Sequence, residues 1–252
     1  MRFRPCIDLH NGKVKQIVGS SLSDSDPNTL QTNFVADKPA SWFSQLYRAD
    51  NLTGGHVIKL GPGNDDPARD ALASWPGGLQ LGGGITSENA ATWLDAGASH
   101  VIVTSFVFTN GQINYDRLNQ LLNAIGRKRL VLDLSCRKKE DFYFIVTDRW
   151  QKFTEVVISE KNLNHLASYC DEFLIHAADV EGKCNGIELD LVQKLASWSP
   201  IATTYAGGIR DIHDIELIKK FGKNRIDFTA GSALDIFGGS TLTYKEAAAF
   251  RS

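Results

Sequence analysis

Long apolar runs are missing from this chain: none approaches the roughly 18 residues that a bilayer-spanning helix needs. An apolar leader is missing as well. The start, Met1-Arg2-Phe3-Arg4-Pro5, offers neither a signal-peptide core nor an Arg/Ser-rich amphipathic arm, so the cytoplasm is the expected compartment. Cysteine is scarce. Cys6, Cys136, Cys170 and Cys184 stand far apart, with no CxxC and no Cys/His cluster. That spacing argues against a zinc site; no metal is expected, and the thiols should be reduced and semi-buried. An excess of one charge is lacking too. With 27 basic and 29 acidic residues the net charge is −2, so neither nucleic acid nor a membrane surface is an expected partner.

What is present is a globular composition: 252 residues, 42% hydrophobic and 22% charged, which excludes general disorder. Short apolar runs at Phe3–Leu9, His56–Leu60, Leu79–Leu81, His100–Thr104, Arg129–Leu134, Phe173–Ala177, Ile201–Tyr205 and Ile226–Ala230 show little alternation, as in strands buried on both faces of a parallel sheet. Helical spacing follows at Ala40–Ala49, Ser87–Ala96 (with Ser87 as its cap), Asn114–Ile125, Asn162–Tyr169, Glu188–Ser197, Ile212–Phe221 and Tyr244–Phe250. Eight strands alternating with helices over about 250 residues point to an α/β fold, a (β/α)8 TIM barrel, with a doubly wound sheet as the runner-up. Two stretches break the rhythm. Residues Asn11–Asp37 form a long polar loop, and Asp141–Ile158 reads as an inserted β-hairpin. Within the loop, Gly19–Asn33 holds Ser20, Ser21, Ser23 and Ser25 with Asp24 and Asp26; its place beside Asp8 predicts a lid.

The halves of the chain echo each other. Pro5-Cys6-Ile7-Asp8-Leu9 is matched by Leu130-Val131-Leu132-Asp133-Leu134, Leu81-Gly82-Gly83-Gly84-Ile85 by Tyr205-Ala206-Gly207-Gly208-Ile209, and Val103-Thr104-Ser105 by Ala230-Gly231-Ser232. A period of half the chain means one domain, 1–252, built from two half-barrels of about 1–126 and 127–252, and not a solenoid. A Gly-Gly-Ile turn that follows a strand and opens a helix presents backbone N–H groups to a phosphate, with the helix dipole behind them. Gly83, Gly84, Thr104 and Ser105 form one such cradle; Gly207, Gly208, Gly231 and Ser232 form its counterpart across the barrel mouth. The expected substrate is a small molecule with a phosphate at each end. Asp8 and Asp133 lie between the cradles, where two carboxylates suit general acid–base chemistry.

Pro5-Cys6-Ile7-Asp8-Leu9-His10-Asn11-Gly12-Lys13-Val14, together with the Gly-Gly-Gly-Ile and Ala-Gly-Gly-Ile turns, resembles the histidine-biosynthesis isomerases that act on phosphoribosylformimino-5-aminoimidazole carboxamide ribotide, over essentially the whole chain. The resemblance implies a half-barrel duplication and an aldose-to-ketose isomerase that carries out an Amadori rearrangement without metal or cofactor, as a monomer needing no partner protein. It casts Asp8 as base and Asp133 as acid. His10, Trp150, His176 and Glu181 match substrate-contacting positions, Trp150 as an aromatic that stacks on the imidazole carboxamide. The chain departs from the common bacterial pattern at His176, at Glu181-Gly182, at Lys59-Leu60-Gly61 and in the Ser20–Asn33 loop, and so is similar to the eukaryotic-type branch. Two alternatives stand beside this reading. One is the sister cyclase subunit, whose Lys eight residues beyond the first Asp is here Gln16. The other is a non-catalytic barrel that senses a phosphorylated ligand.

Overall fold

Eight short, mostly apolar segments lie side by side as parallel strands in a computed structural model that describes residues 1–18, 32–148 and 150–251. They are β1 (Cys6–His10), β2 (Gly55–Lys59), β3 (Leu79–Gly82), β4 (Val101–Val103), β5 (Leu130–Asp133), β6 (Glu172–His176), β7 (Ala202–Ala206) and β8 (Ile226–Thr229). Their order in the sheet follows the chain, with registers such as Ile7↔Val57, Val101↔Leu130 and Tyr205↔Phe228. The ring closes where Phe3 pairs in parallel with Phe228. There the Arg4 N–H donates to the Phe228 carbonyl at 2.8 Å, and the Phe228 N–H donates to the Arg2 carbonyl at 3.0 Å. The fold is a (β/α)8 barrel.

Helices α1 (Ala40–Ala49), α2 (Asp65–Ser74), α3 (Ala90–Asp95), α4 (Tyr115–Ile125), α5 (Glu160–Leu166), α6 (Leu189–Trp198), α7 (Ile212–Phe221) and α8 (Tyr244–Ala248) connect and cover the strands. The sequence periodicity places α1 and α7 to the residue. It misses α2, whose segment Asp65-Asp66-Pro67-Ala68-Arg69-Asp70-Ala71-Leu72 marks its buried face with two alanines and a single large group, Leu72; the acids of its first turn favour a helix start through the dipole. Ser87 does not cap α3, which begins at Ala90 after Asn89.

Along each strand alternate side chains face opposite ways. Ile7, Val57, Leu81, Val103, Leu132, Phe173, Tyr205 and Phe228 point outward, at 2% exposure or less, into the main core beneath the helices. Each such side chain stabilises the fold by about 1.5–3 kcal/mol through burial. Inside the ring the lower layer is polar: Arg4 pairs with Asp227 at 2.8 Å and with Glu172 at 3.6 Å, and Gln80 donates to Glu172 at 2.9 Å. Two residues further along the strands, Ile58, Ile102, Val131, Leu174 and Ala206 make a small apolar plug. Above the plug, at the carboxyl ends, the interior is polar again.

The expected long loop after β1 is partly a hairpin. Lys13–Ile17 runs antiparallel to β1 (Leu9↔Val14), and Thr32–Val35 pairs with it in turn (Lys15↔Val35). Residues 19–31, with the serines and aspartates of the expected lid, lie outside the described residues. After β5 the expected hairpin is present as Phe142–Thr147 and Lys152–Val157, joined by a third antiparallel strand, Cys136–Lys139. Arg137, Lys138 and Lys139 of that third strand lie towards solvent on the edge of the small sheet.

Candidate active site

The strand carboxyl ends meet in a cavity of about 580 Å³ lined by Asp8, Lys59, Gly83, Gly84, Thr104, Ser105, Asp133, Trp150, His176 and Glu181. An adjoining recess adds Cys6, His56, Gly207, Gly208, Gly231 and Ser232, and shares Asp8, Gln16, His176 and Glu181 with it. The structure therefore brings both carboxylates and both glycine cradles into one mouth. His10 is the exception among the expected residues: it lines neither space, and its Nδ1 lies 3.1 Å from Lys15 Nζ.

Asp133 ends β5 and is enclosed. Its Oδ1 accepts from the Ser135 N–H at 2.9 Å and from the Ser135 hydroxyl at 2.7 Å, and its Oδ2 accepts from the Thr104 hydroxyl at 3.4 Å. His176, at the end of β6, reaches it with Nδ1 at 3.3 Å. Burial works to raise the Asp133 pKa, but the imidazolium and the Ser135 hydrogen bonds outweigh it and hold the group below its usual range. His176 responds in the opposite sense. Burial disfavours its charge, yet Asp133, then Glu181 and Asp8, carry it up to about 9. At neutral pH the pair is a carboxylate and an imidazolium. His56, buried nearby with its ring 6.4 Å from that of His176, is pushed down to about 3 by desolvation and by that cation, and stays neutral.

Asp8 behaves differently. Burial and the neighbouring Glu181 carboxyl raise it to about 7, against the opposing pull of His176 and of the Gln16 amide. Glu181 is raised too, mainly by burial, and its Oε2 is buried without a hydrogen-bond partner among the described residues. Two carboxyls that repel each other's charge in a desolvated site hold a proton between them near neutrality.

The cradles rest on glycine. Gly83 and Gly84 have φ of +95° and +71°, and Gly207 and Gly208 have +122° and +74°. A Cβ on Gly83 would lie 2.1 Å from the Lys59 carbonyl oxygen, and one on Gly207 2.9 Å from that of Ala177, so each turn presses on the preceding strand as only glycine permits. The turns do not run straight into helices: α3 starts at Ala90, and Asp211 caps α7 three residues beyond Gly208. The first cradle has a cation at its rim. Lys59 Nζ pairs with Asp65 at 2.8 Å and sits 4.0 Å over the Trp93 ring. At the second, Asn33 donates to the Gly182 carbonyl at 2.9 Å and to the Ser232 hydroxyl at 3.1 Å. Trp150, in left-handed backbone (φ +66°), faces the cavity with its ring 5.7 Å from that of His176. Among the described residues, one His/acid group has metal-like spacing, His100, Asp171 and Glu172. It lies near the barrel floor, where Arg4 and Gln80 already hold Glu172.

The histidine biosynthesis protein profile matches residues 2–239. The chain belongs to the histidine biosynthesis protein family. Within it, the chain is 53% identical over 257 residues to a Medicago truncatula protein, covering 100% of this chain and 82% of the relative. It is 50% identical over 255 residues to a Yarrowia lipolytica protein, covering 97% and 96%. A Neurospora crassa protein is 50% identical over 248 residues, again covering 97% and 96%. All three relatives are named 1-(5-phosphoribosyl)-5-((5-phosphoribosylamino)methylideneamino) imidazole-4-carboxamide isomerase, the plant one chloroplastic.

Some neighbours of the site in this family member escaped assignment from sequence. Lys59 stood out only as a break in an acidic pattern, and Gln16 only as a mismatch with a lysine. Ser135 and His56 gave no signal, because their roles depend on which side chains the ring brings beside them.

Proposed function

We propose that this chain isomerises a phosphoribosylformimino-aminoimidazole carboxamide ribotide from aminoaldose to aminoketose, as its relatives are named to do. The observation that carries the reading is an aspartate poised near pH 7 between two glycine cradles in one mouth. A general base with that affinity is half ionised at working pH. The cradles at Gly83-Gly84/Thr104-Ser105 and Gly207-Gly208/Gly231-Ser232 hold the two phosphates, with Lys59 beside the first. The ring oxygen of the ribose accepts a proton from the Asp133–His176 pair, in which the proton rests on the imidazole. The C1′–O bond then opens to a Schiff base. Asp8 removes the C2′ proton to give an enaminol, which takes that proton back at C1′ and yields its 2′-hydroxyl proton to the imidazole, becoming the ketone and restoring both groups. Trp150 stacks on the imidazole carboxamide, and His10 takes a place at the rim. Glu181, raised by burial, hydrogen-bonds substrate through its unpartnered oxygen.

The scheme uses side-chain acids and bases alone and one copy of the chain, whose halves, 1–126 and 127–252, each supply one cradle and one aspartate. The cytoplasm is proposed as its compartment; cell fractionation tests this against the chloroplast named for the plant relative. No described helix is long and apolar enough to cross a membrane. The decisive assay mixes pure protein with the aminoaldose and follows the spectral change with no glutaminase or ammonia present. Turnover supports the isomerase; a requirement for ammonia overturns it in favour of the cyclase, and binding without turnover in favour of a sensor. Asp133→Asn and Glu181→Gln separate the acid roles: the first is expected to lower kcat by about 10²-fold or more, the second by less.

A further inference from the structure

Gln16 lies on the Lys13–Ile17 strand, and its side chain is buried in the mouth at 4% exposure. Its Nε2 donates to Asp8 Oδ2 at 3.4 Å and to Cys6 Sγ at 3.7 Å. The other end of the amide stands against Gly231, where an added Cβ would come within 2.0 Å of Oε1. One side chain thus spans from the candidate base to the second cradle.

On the reading of the site given above, we propose that Gln16 is a positioning residue that braces Asp8 against the Gly231–Ser232 cradle. A primary amide suits this place, since its nitrogen donates to the carboxylate at one end, its oxygen packs against Gly231 at the other, and it adds no charge. Lysine or arginine there would pull Asp8 down from the range set here, and a carboxylate would repel it. Glycine at 231 is required for the same reason, since any side chain would push the amide off Asp8. The other groups that face Asp8 are Glu181 and His176 from beyond and at the end of β6, Cys6 on its own strand, and Tyr47 from α1. Of these, Glu181 also stands against Gly207 and Cys6 donates to the Ala230 carbonyl at 3.8 Å, but Gln16 is the one that both donates to Asp8 and packs on Gly231.

The test is a carboxyl ¹³C NMR titration of the whole protein without substrate, the Asp8 signal being assigned by its loss in Asp8→Asn. Because the amide donates to ionised Asp8, its removal in Gln16→Leu should raise the midpoint by about half a pH unit or more. Gln16→Glu, which keeps the shape and adds a like charge, should raise it further. Gly231→Ala should move it in the same direction as Gln16→Leu. In kinetics, Gln16→Leu should lower kcat about tenfold with little change in KM, as expected for a misplaced base. An unchanged midpoint in Gln16→Leu overturns the proposal, and an unchanged midpoint in Gly231→Ala overturns its link to the cradle. The titration needs no turnover, so failure of the wild type to isomerise would sink the functional reading and leave this result standing.

Discussion

At the scale of single residues, one carboxyl carries opposed demands. Asp8 at about 7 sits above the ordinary aspartate value of about 3.9, so ionising it costs the folded state. A group raised in the fold binds its proton more tightly there, and stability falls as pH rises from about 4 to about 7. Asp8→Asn should therefore abolish most turnover, by about 10²-fold or more, while stabilising the fold above pH 7 by on the order of 1–3 kcal/mol. Urea unfolding at pH 5 and pH 8 checks this: the gain should be larger at pH 8. His176 carries the same sign into a higher pH window. Its value of about 9 exceeds the ordinary 6.5, so its contribution is fully present below about 6.5 and is lost as pH rises through 9. His176→Gln should flatten stability across that window, and a slope equal to the wild type would refute the ion pair. Both aspartates were legible in sequence because each ends an apolar strand and the motif recurs. The contrast between them was not, because it depends on His176, Ser135 and Glu181, which lie near them only after the ring has closed.

At the scale of elements, the strands were the most legible feature: buried parallel strands need mostly apolar text, which most of the eight supply, though Ala202–Ala206 carries two threonines. The helices were legible where bulky side chains mark one face, as Trp42, Phe43 and Leu46 do in α1, and illegible in α2, where alanine does the packing. The cradles show how an element's function can rest on a neighbour. Lys59 belongs to β2, yet its ammonium stands at the rim of the turn that follows β3. Lys59→Met should raise KM about tenfold with a small change in kcat, since it weakens a contact made alike in ground and transition states. A fall in kcat at constant KM would place the lysine in the chemistry instead. Crystals grown in sulfate should hold an anion at each Gly-Gly turn.

At the scale of the whole molecule, the barrel depends on the seam between its first and last strands. Arg4, 3% exposed, ties the start of β1 to Asp227 of β8 and reaches Glu172 of β6. Arg4→Met would leave Glu172 without its cation and Asp227 with the half-exposed Arg2 alone, at a cost of about 3–5 kcal/mol in urea unfolding; a change below about 1 kcal/mol would show that the seam is held by its other bonds. The same residues have a bearing on traffic. Arg4, Gln80 and Glu172, with the apolar layer above them, fill the lower end of the ring, which makes the barrel a flask and not a pipe. What enters by the neck must leave by the neck, one molecule at a time. Product and substrate then queue for a single passage, and product should inhibit in strict competition with substrate, with no ternary complex at any concentration.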